Sequence, residues 1–210
     1  MEAVEIVPGL YRWEAASPHW TPESDWPQMV GSVLYELHEG AVLIDPQIPG
    51  EDREGFLAWL DDLLEGRQVG ILTTIRWHRR DRDELARRYV PGHGEDPYGA
   101  PGSRPWNEIP RDVSPRWLKG AGEIVFWLPG AATLVPGDSL VGEGGGRLRV
   151  CPESWLEDVS VDRRGLAALL AALLELPCER ILVSHGEPVL QEGRRALAQA
   201  VEEAEAGRPV

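Results

Sequence analysis

Cysteine is scarce. The chain has two, Cys151 and Cys178, too few for a disulfide framework, so both read as small core or near-surface residues. Long apolar runs are absent: no stretch approaches the ~20 residues of a membrane-spanning helix. Positive charge is in deficit. Twenty-one Lys and Arg face 35 Asp and Glu, a net charge of −14. That balance excludes nucleic acid and an anionic membrane surface as partners, because both need a basic field. The opening Met1-Glu2-Ala3-Val4-Glu5 has no basic start followed by an apolar stretch, so a cytoplasmic location is expected. Several chemical signatures are also missing: a nucleophilic-serine elbow, a dinucleotide fingerprint, a paired-carboxylate motif and a phosphate loop. Gly142 to Gly146 is glycine-rich but no Lys-Ser/Thr follows, and it reads as a flexible hairpin tip.

What is present is the size and apolar content of one buried core, so residues 1–210 are expected to form a single domain. Ile6 to Trp13 reads as a first strand with a Pro-Gly turn inside it, and residues 15–28 as a loop. Val33–Leu37 and Ala41–Ile44 flank Glu39-Gly40, a hairpin signal. Phe56, Leu57, Leu60, Leu63 and Leu64 recur at helical spacing and predict a helix over 51–65, stopped by Gly66. Val69 to Thr73 predicts a short buried strand, 81–89 a charged helix, and 91–116 a Pro- and Gly-rich loop. Strands follow at 123–128 and 132–135, a helix at 162–176, a strand at 180–184 and a helix at 192–205. Runs of strands interrupted by covering helices predict two packed sheets with helices outside, an α+β arrangement.

Three apolar runs end in a polar side chain at a Gly or Pro turn. They are Val42-Leu43-Ile44-Asp45-Pro46, Pro136-Gly137-Asp138-Ser139-Leu140 and Ile181-Leu182-Val183-Ser184-His185-Gly186. With the opening Pro8-Gly9-Leu10-Tyr11 turn and the strand into Thr74, their order and spacing resemble the metallo-β-lactamase fold superfamily over nearly the whole chain. The resemblance implies a four-layer αββα sandwich of two mixed β-sheets flanked by helices. It also implies metal ions at one sheet edge and, in most members, hydrolysis by an activated water.

The family's first ligand motif is His-x-His-x-Asp-His. In the register set by Thr74, its ligand positions fall on Ile75, Trp77, Arg79 and Arg80; shifted by one, they fall on Arg76, His78, Arg80 and Asp81. The next family histidine falls on Lys119, the bridging aspartate on Asp138 and the last histidine on His185. The fullest retained set is therefore His78, Asp81, Asp138 and His185, and the smallest is Asp138 with His185. The full set implies one divalent metal, Zn or Mn, in a reduced mononuclear site; the small set implies none.

Each residue also has a plainer reading. His78 can sit on the surface, Asp81 can cap the 81–89 helix, Asp138 can shape a turn, and Asp45 is read as turn-shaping before Pro46. His19 and His38 are expected to be exposed, and His93 could swing over the site from its loop. Arg76, Arg79, Arg80, Arg82, Arg87 and Arg88 fall within one short stretch of an acidic chain. Guanidinium forks suit carboxylate or phosphate.

Two function classes follow. The first is a metal-dependent hydrolase with a reduced site, acting on a small-molecule substrate. The second is a non-enzymatic protein binding a small anionic or aromatic ligand through Arg76, Arg79, Arg80, Trp77 and Lys119, with Trp106 and Trp117 near the mouth. It predicts Arg79 or Arg80 paired with Asp138. A third reading is a homodimer formed through the 91–116 loop.

Overall fold

The computed structural model describes residues 3–38, 40–90 and 109–207. Their contacts cluster into two compact units, Met1–Thr73 with Trp77–Asp112, and Thr74–Arg76 with Val113–Val210.

The first unit is built on a five-stranded mixed sheet: β1 (Val4–Val7), β2 (Leu10–Ala16), β3 (Met29–Leu37), β4 (Gly40–Ile44) and β5 (Gln68–Leu72), in that spatial order. The first three pairings are antiparallel and β4–β5 is parallel. Helices α1 (Arg53–Leu64) and α2 (Arg82–Tyr89) belong to the same unit. A parallel pair needs a crossover between its strands, and α1 supplies it. Its Phe56, Leu60 and Leu64 stack one turn apart and are buried against Trp13, Leu34, Leu43 and Val69 of the sheet. The stretch expected as one strand, Ile6 to Trp13, is instead the hairpin of β1 and β2. Gly9 takes φ +77°, and the two strands pair across it. The Pro-Gly pair thus reverses the chain rather than kinking it.

The second unit holds a four-stranded mixed sheet. Its strands are β6 (Ser114–Leu118), β7 (Glu123–Leu128), β8 (Thr133–Val135) and β11 (Arg180–Ile181), in the order β11-β8-β7-β6. A separate ribbon pairs β9 (Leu140–Gly144) with β10 (Arg147–Val150). Helices α3 (Arg163–Ala171) and α4 (Gly193–Glu205) complete it. Strand β6 begins inside the stretch expected to be a loop, at Ser114. It is an edge strand, which tolerates Pro115 and leaves Trp117 exposed. Residues 91–108 of that expected loop lie outside the described residues. The expected helix over 162–176 tightens to a 3-10 turn after Ala171, and the expected strand over 180–184 keeps only two residues. Helix α4 packs on α3 and β10 through Ala196, Leu197, Ala200, Val201 and Ala204; the alanines allow close approach. The chain is thus α+β with two mixed sheets and four helices among the described residues.

Leu60 is fully buried at the centre of the α1 face. Leu60→Ala is expected to cost about 2–5 kcal/mol, measured by urea unfolding.

Candidate functional site

In the first unit, the turn after β4 and the turn before α2 are laced together. Asp45 follows β4 with φ +48°, and Arg80 precedes α2 with φ +44°. Both conformations are unfavourable for residues other than glycine and need surrounding support. Ser32 Oγ donates to the Asp45 carbonyl at 2.9 Å and accepts from Gln47 N at 3.0 Å. The Arg80 guanidinium donates to the carbonyls of Gly31 at 2.6 Å and Asp45 at 2.7 Å. Asp81 N donates to the Pro46 carbonyl at 3.1 Å. The Asp81 carboxylate accepts from Gln47 Nε2 and Ile48 N, both at 2.6 Å. Burial pushes its pKa up, against the pull of the Ile48 amide.

This lacing places His78 inside. The side chain is buried, and its Nδ1 lies 3.0 Å from Asp45 Oδ2. A carboxylate can only accept, so Nδ1 carries the hydrogen, and in the neutral ring that leaves the lone pair on Nε2. A carboxylate that fixes the tautomer and ring orientation of a histidine in this way is the usual support of a metal-ligating imidazole. The plainer surface reading of His78 is therefore ruled out; the neighbouring charged residues disguise a buried position. Asp81 sits at the N-terminus of α2, but its side chain makes no cap bond there. Asp45 does shape its turn, and it also orients His78, a role its sequence reading did not include.

In the second unit, the Pro136–Ser139 turn joins β8 to β9 and the Val183–Gly186 segment follows β11. Asp138 Oδ1 lies 3.2 Å from His185 Nε2. His185 is held from its backbone: its carbonyl accepts from Gly142 N at 2.9 Å, and it bridges Val141 in parallel. The chains touch closely there. A Cβ on Gly142 would meet the Glu187 carbonyl oxygen at 1.9 Å, and one on Gly186, with φ +84°, would meet the Gly142 carbonyl oxygen at 2.1 Å. Glycine is required at both positions. The His185 ring stands edge-on to Trp155 with centroids 5.3 Å apart.

Behind the Asp138 turn lies a residue that sequence reasoning missed. Glu123, the first residue of β7, is buried. Its Oε1 accepts from Gly137 N at 2.9 Å and Ser139 Oγ at 2.5 Å, and its Oε2 from Ser139 N at 2.9 Å. Burial pushes its pKa up to about 7; the Ser139 hydroxyl opposes this and the charge of Asp138 adds to it. The available signal was a carboxylate directly preceding the apolar run Ile124–Leu128.

The remaining candidates are placed as follows. Arg79 makes a two-pronged pair with Asp83, Arg88 pairs with Asp61, and the exposed Arg76 lies 3.6 Å from Asp158. Lys119 is exposed in the turn after β6, as are Trp77 and, at 64%, Trp117. His19 and His38 are exposed as expected. His93 and Trp106 lie outside the described residues. Cys151 and Cys178 are buried, and burial raises their thiols to about 12 and about 11, so neither offers a thiolate at neutral pH.

Neither a protein-family model nor a curated protein matches the chain. Solved structures do. A metallo-β-lactamase from Erythrobacter litoralis aligns with TM-score 0.63 at 16% identity, over 97% of this chain and 92% of its own. One from Pontibacter korlensis gives TM-score 0.59 at 16% identity, over 96% and 98%. A metallo-β-lactamase family protein from Thermus thermophilus gives 0.53 at 19%, over 97% and 80%. The chain has the metallo-β-lactamase fold. At these identities the likeness carries the fold alone.

Two outcomes follow. Gly142→Ala is expected to displace the 185–187 backbone and to yield little folded protein, read by circular dichroism and soluble yield. The second concerns pH. Glu123 ionises near 4.5 in an unfolded chain and near 7 when folded, so between those values the folded state binds more protons and stability falls as pH rises. In metal-free buffer, the stability advantage of wild type over Glu123→Gln is therefore expected to shrink from pH 4.5 to pH 7 in urea titrations. A gap that grows over that range would refute this.

Proposed function

We propose that this chain is a metal-dependent hydrolase of the metallo-β-lactamase fold with a reduced, mononuclear site. Its candidate ligands are those that the family register assigns, His78 in the first unit and Asp138 with His185 in the second. The observation that carries the reading is the preparation of the histidines. His78 is buried with its tautomer set by Asp45, and His185 is buried with Nε2 directed at the Asp138 carboxylate. Two imidazoles and one carboxylate suit Zn or Mn, and three protein ligands leave a coordination position for water or substrate. A bound divalent ion supplies a Lewis acid that acidifies water and polarises a carbonyl or phosphoryl oxygen. Solved proteins of the same fold bear the name metallo-β-lactamase, which supports metal-assisted hydrolysis as the reaction class.

The chain's own residues do the rest. Asp45 holds the hydrogen on His78 Nδ1, Arg80 braces the Asp45 carbonyl, and the Gly142 amide fixes the backbone that carries His185. Asp81 was expected among the ligands. Its bonds to Gln47 and Ile48 support a bracing role instead, so the proposed set has three members. The anion-binding alternative draws less support: Arg79 and Arg88 are matched to Asp83 and Asp61 within the first unit, and Arg80 serves backbone carbonyls.

Elemental mass spectrometry of purified, tag-free protein tests the reading. The expected result is about one equivalent of Zn or Mn per chain in wild type, lost in both His78→Ala and His185→Ala. Substoichiometric metal in wild type, or metal retained in either variant, would sink it.

A further inference from the structure

Glu123 is a carboxylate fully withdrawn from solvent at the meeting of three segments. Residue 123 bridges Ile75, and the next amide, Ile124 N, donates to the Thr74 carbonyl at 2.8 Å. The third segment is the Pro136–Ser139 turn. Burying a carboxylate is costly unless hydrogen bonds compensate, and here all three compensating donors come from the residues either side of Asp138. The turn is also closed sterically. A Cβ at residue 137 would stand 2.8 Å from Thr74 Oγ1 and 3.1 Å from Glu123 Cδ. Gly137 is thus small so that Thr74 and Glu123 can reach the turn, and Asp138 is left on its outer side beside His185.

We infer that Glu123 is a positioning residue for the metal site: by holding the backbone on both sides of Asp138, it fixes the direction in which the Asp138 carboxylate ligates. The inference rests on the metal reading above and adds a part to it. Glu123 is not itself a ligand in that reading; it acts through the turn. A buried partner behind a ligand commonly matters to affinity by about 10–100-fold.

The test uses full-length protein with cobalt(II) as the probe and has two arms. In the metal-free protein, amide hydrogen exchange at Gly137 and Ser139 reports the turn directly. In the cobalt titration, the visible bands report coordination and affinity together. Glu123→Gln keeps the acceptor that serves Gly137 and the Ser139 hydroxyl but sets an NH2 group against the Ser139 amide. It is expected to keep wild-type circular dichroism, lose protection at Ser139, bind cobalt at least about 10-fold more weakly and show altered bands. Ser139→Ala, which removes one bond of the three, is expected to weaken binding less than Glu123→Gln. Gly137→Ala, which leaves the carboxylate intact but crowds it, is expected to reproduce the loss. Unchanged cobalt affinity and bands in Glu123→Gln would overturn the inference, as would unchanged protection at Ser139. If wild type itself takes up no cobalt, the metal reading fails, and the exchange arm still decides whether Glu123 fixes the turn.

Discussion

A carboxylate tied to a turn, buried at Glu123 and half-buried at Asp81, is the constraint on which the proposed ligands of each unit depend. Glu123 holds Gly137 and Ser139 around Asp138, and Asp81 holds Gln47 and Ile48 just beyond Asp45. In each case the turn leaves the end of a strand with little regular hydrogen bonding of its own. Backbone N–H groups at such a place must find acceptors, and a carboxylate offers several at once. The same bonds that satisfy the backbone fix the side chain carried on the turn. Stability and the geometry of the site are therefore supplied by the same atoms, and damage to one is damage to the other.

The strongly acidic balance fits this use of carboxylates. Glu123 and the half-buried Asp81 are spent on backbone amides, while the arginines are matched locally, Arg79 with Asp83 and Arg88 with Asp61. Exposed pairs of this kind contribute only about 0–1 kcal/mol each. They neutralise the α2 surface rather than hold the fold together. Arg80 differs. Its guanidinium caps two carbonyls, at Gly31 and Asp45, and so supports a backbone conformation that only a few residues adopt without help.

How much could be read from the sequence depended on how each residue is buried. Strands β3, β4, β5 and β7 were legible because they are apolar runs bounded by turn residues, and α1 because its buried positions keep helical spacing. Strand β6 was not: Ser114-Pro115-Arg116-Trp117-Leu118 is an edge strand, with a proline and exposed side chains, and composition alone cannot tell that from a loop. His78 was open to a ligand and a surface reading because it follows the exposed Arg76 and Trp77 in a charged stretch, and only the fold shows that it turns inward. Asp138, just after Gly137, and His185, just before Gly186, stood out because each is a polar residue at a glycine turn that ends an apolar run. Glu123 was missed because its bonds are all long-range, to residues 14 and 16 positions away. No local pattern encodes such a partner.

The departures from the family's ligand pattern acquire a physical sense in the same terms. In the register that puts His78 on the second histidine of the motif, Arg80 stands at the position of the motif's aspartate and Asp81 at that of its last histidine. Neither residue is idle in the structure. Arg80 donates to the carbonyl of Asp45, whose carboxylate contacts His78 Nδ1, and Asp81 secures the backbone that follows Asp45. Both residues therefore brace the turn that carries Asp45, the partner of His78. A guanidinium placed among ligands would oppose a cation by its fixed charge, but one turned onto backbone carbonyls is partly neutralised by their dipoles. On the proposed reading, bracing by Arg80 and Asp81 takes the place of coordination at those two positions, which is consistent with a single ion.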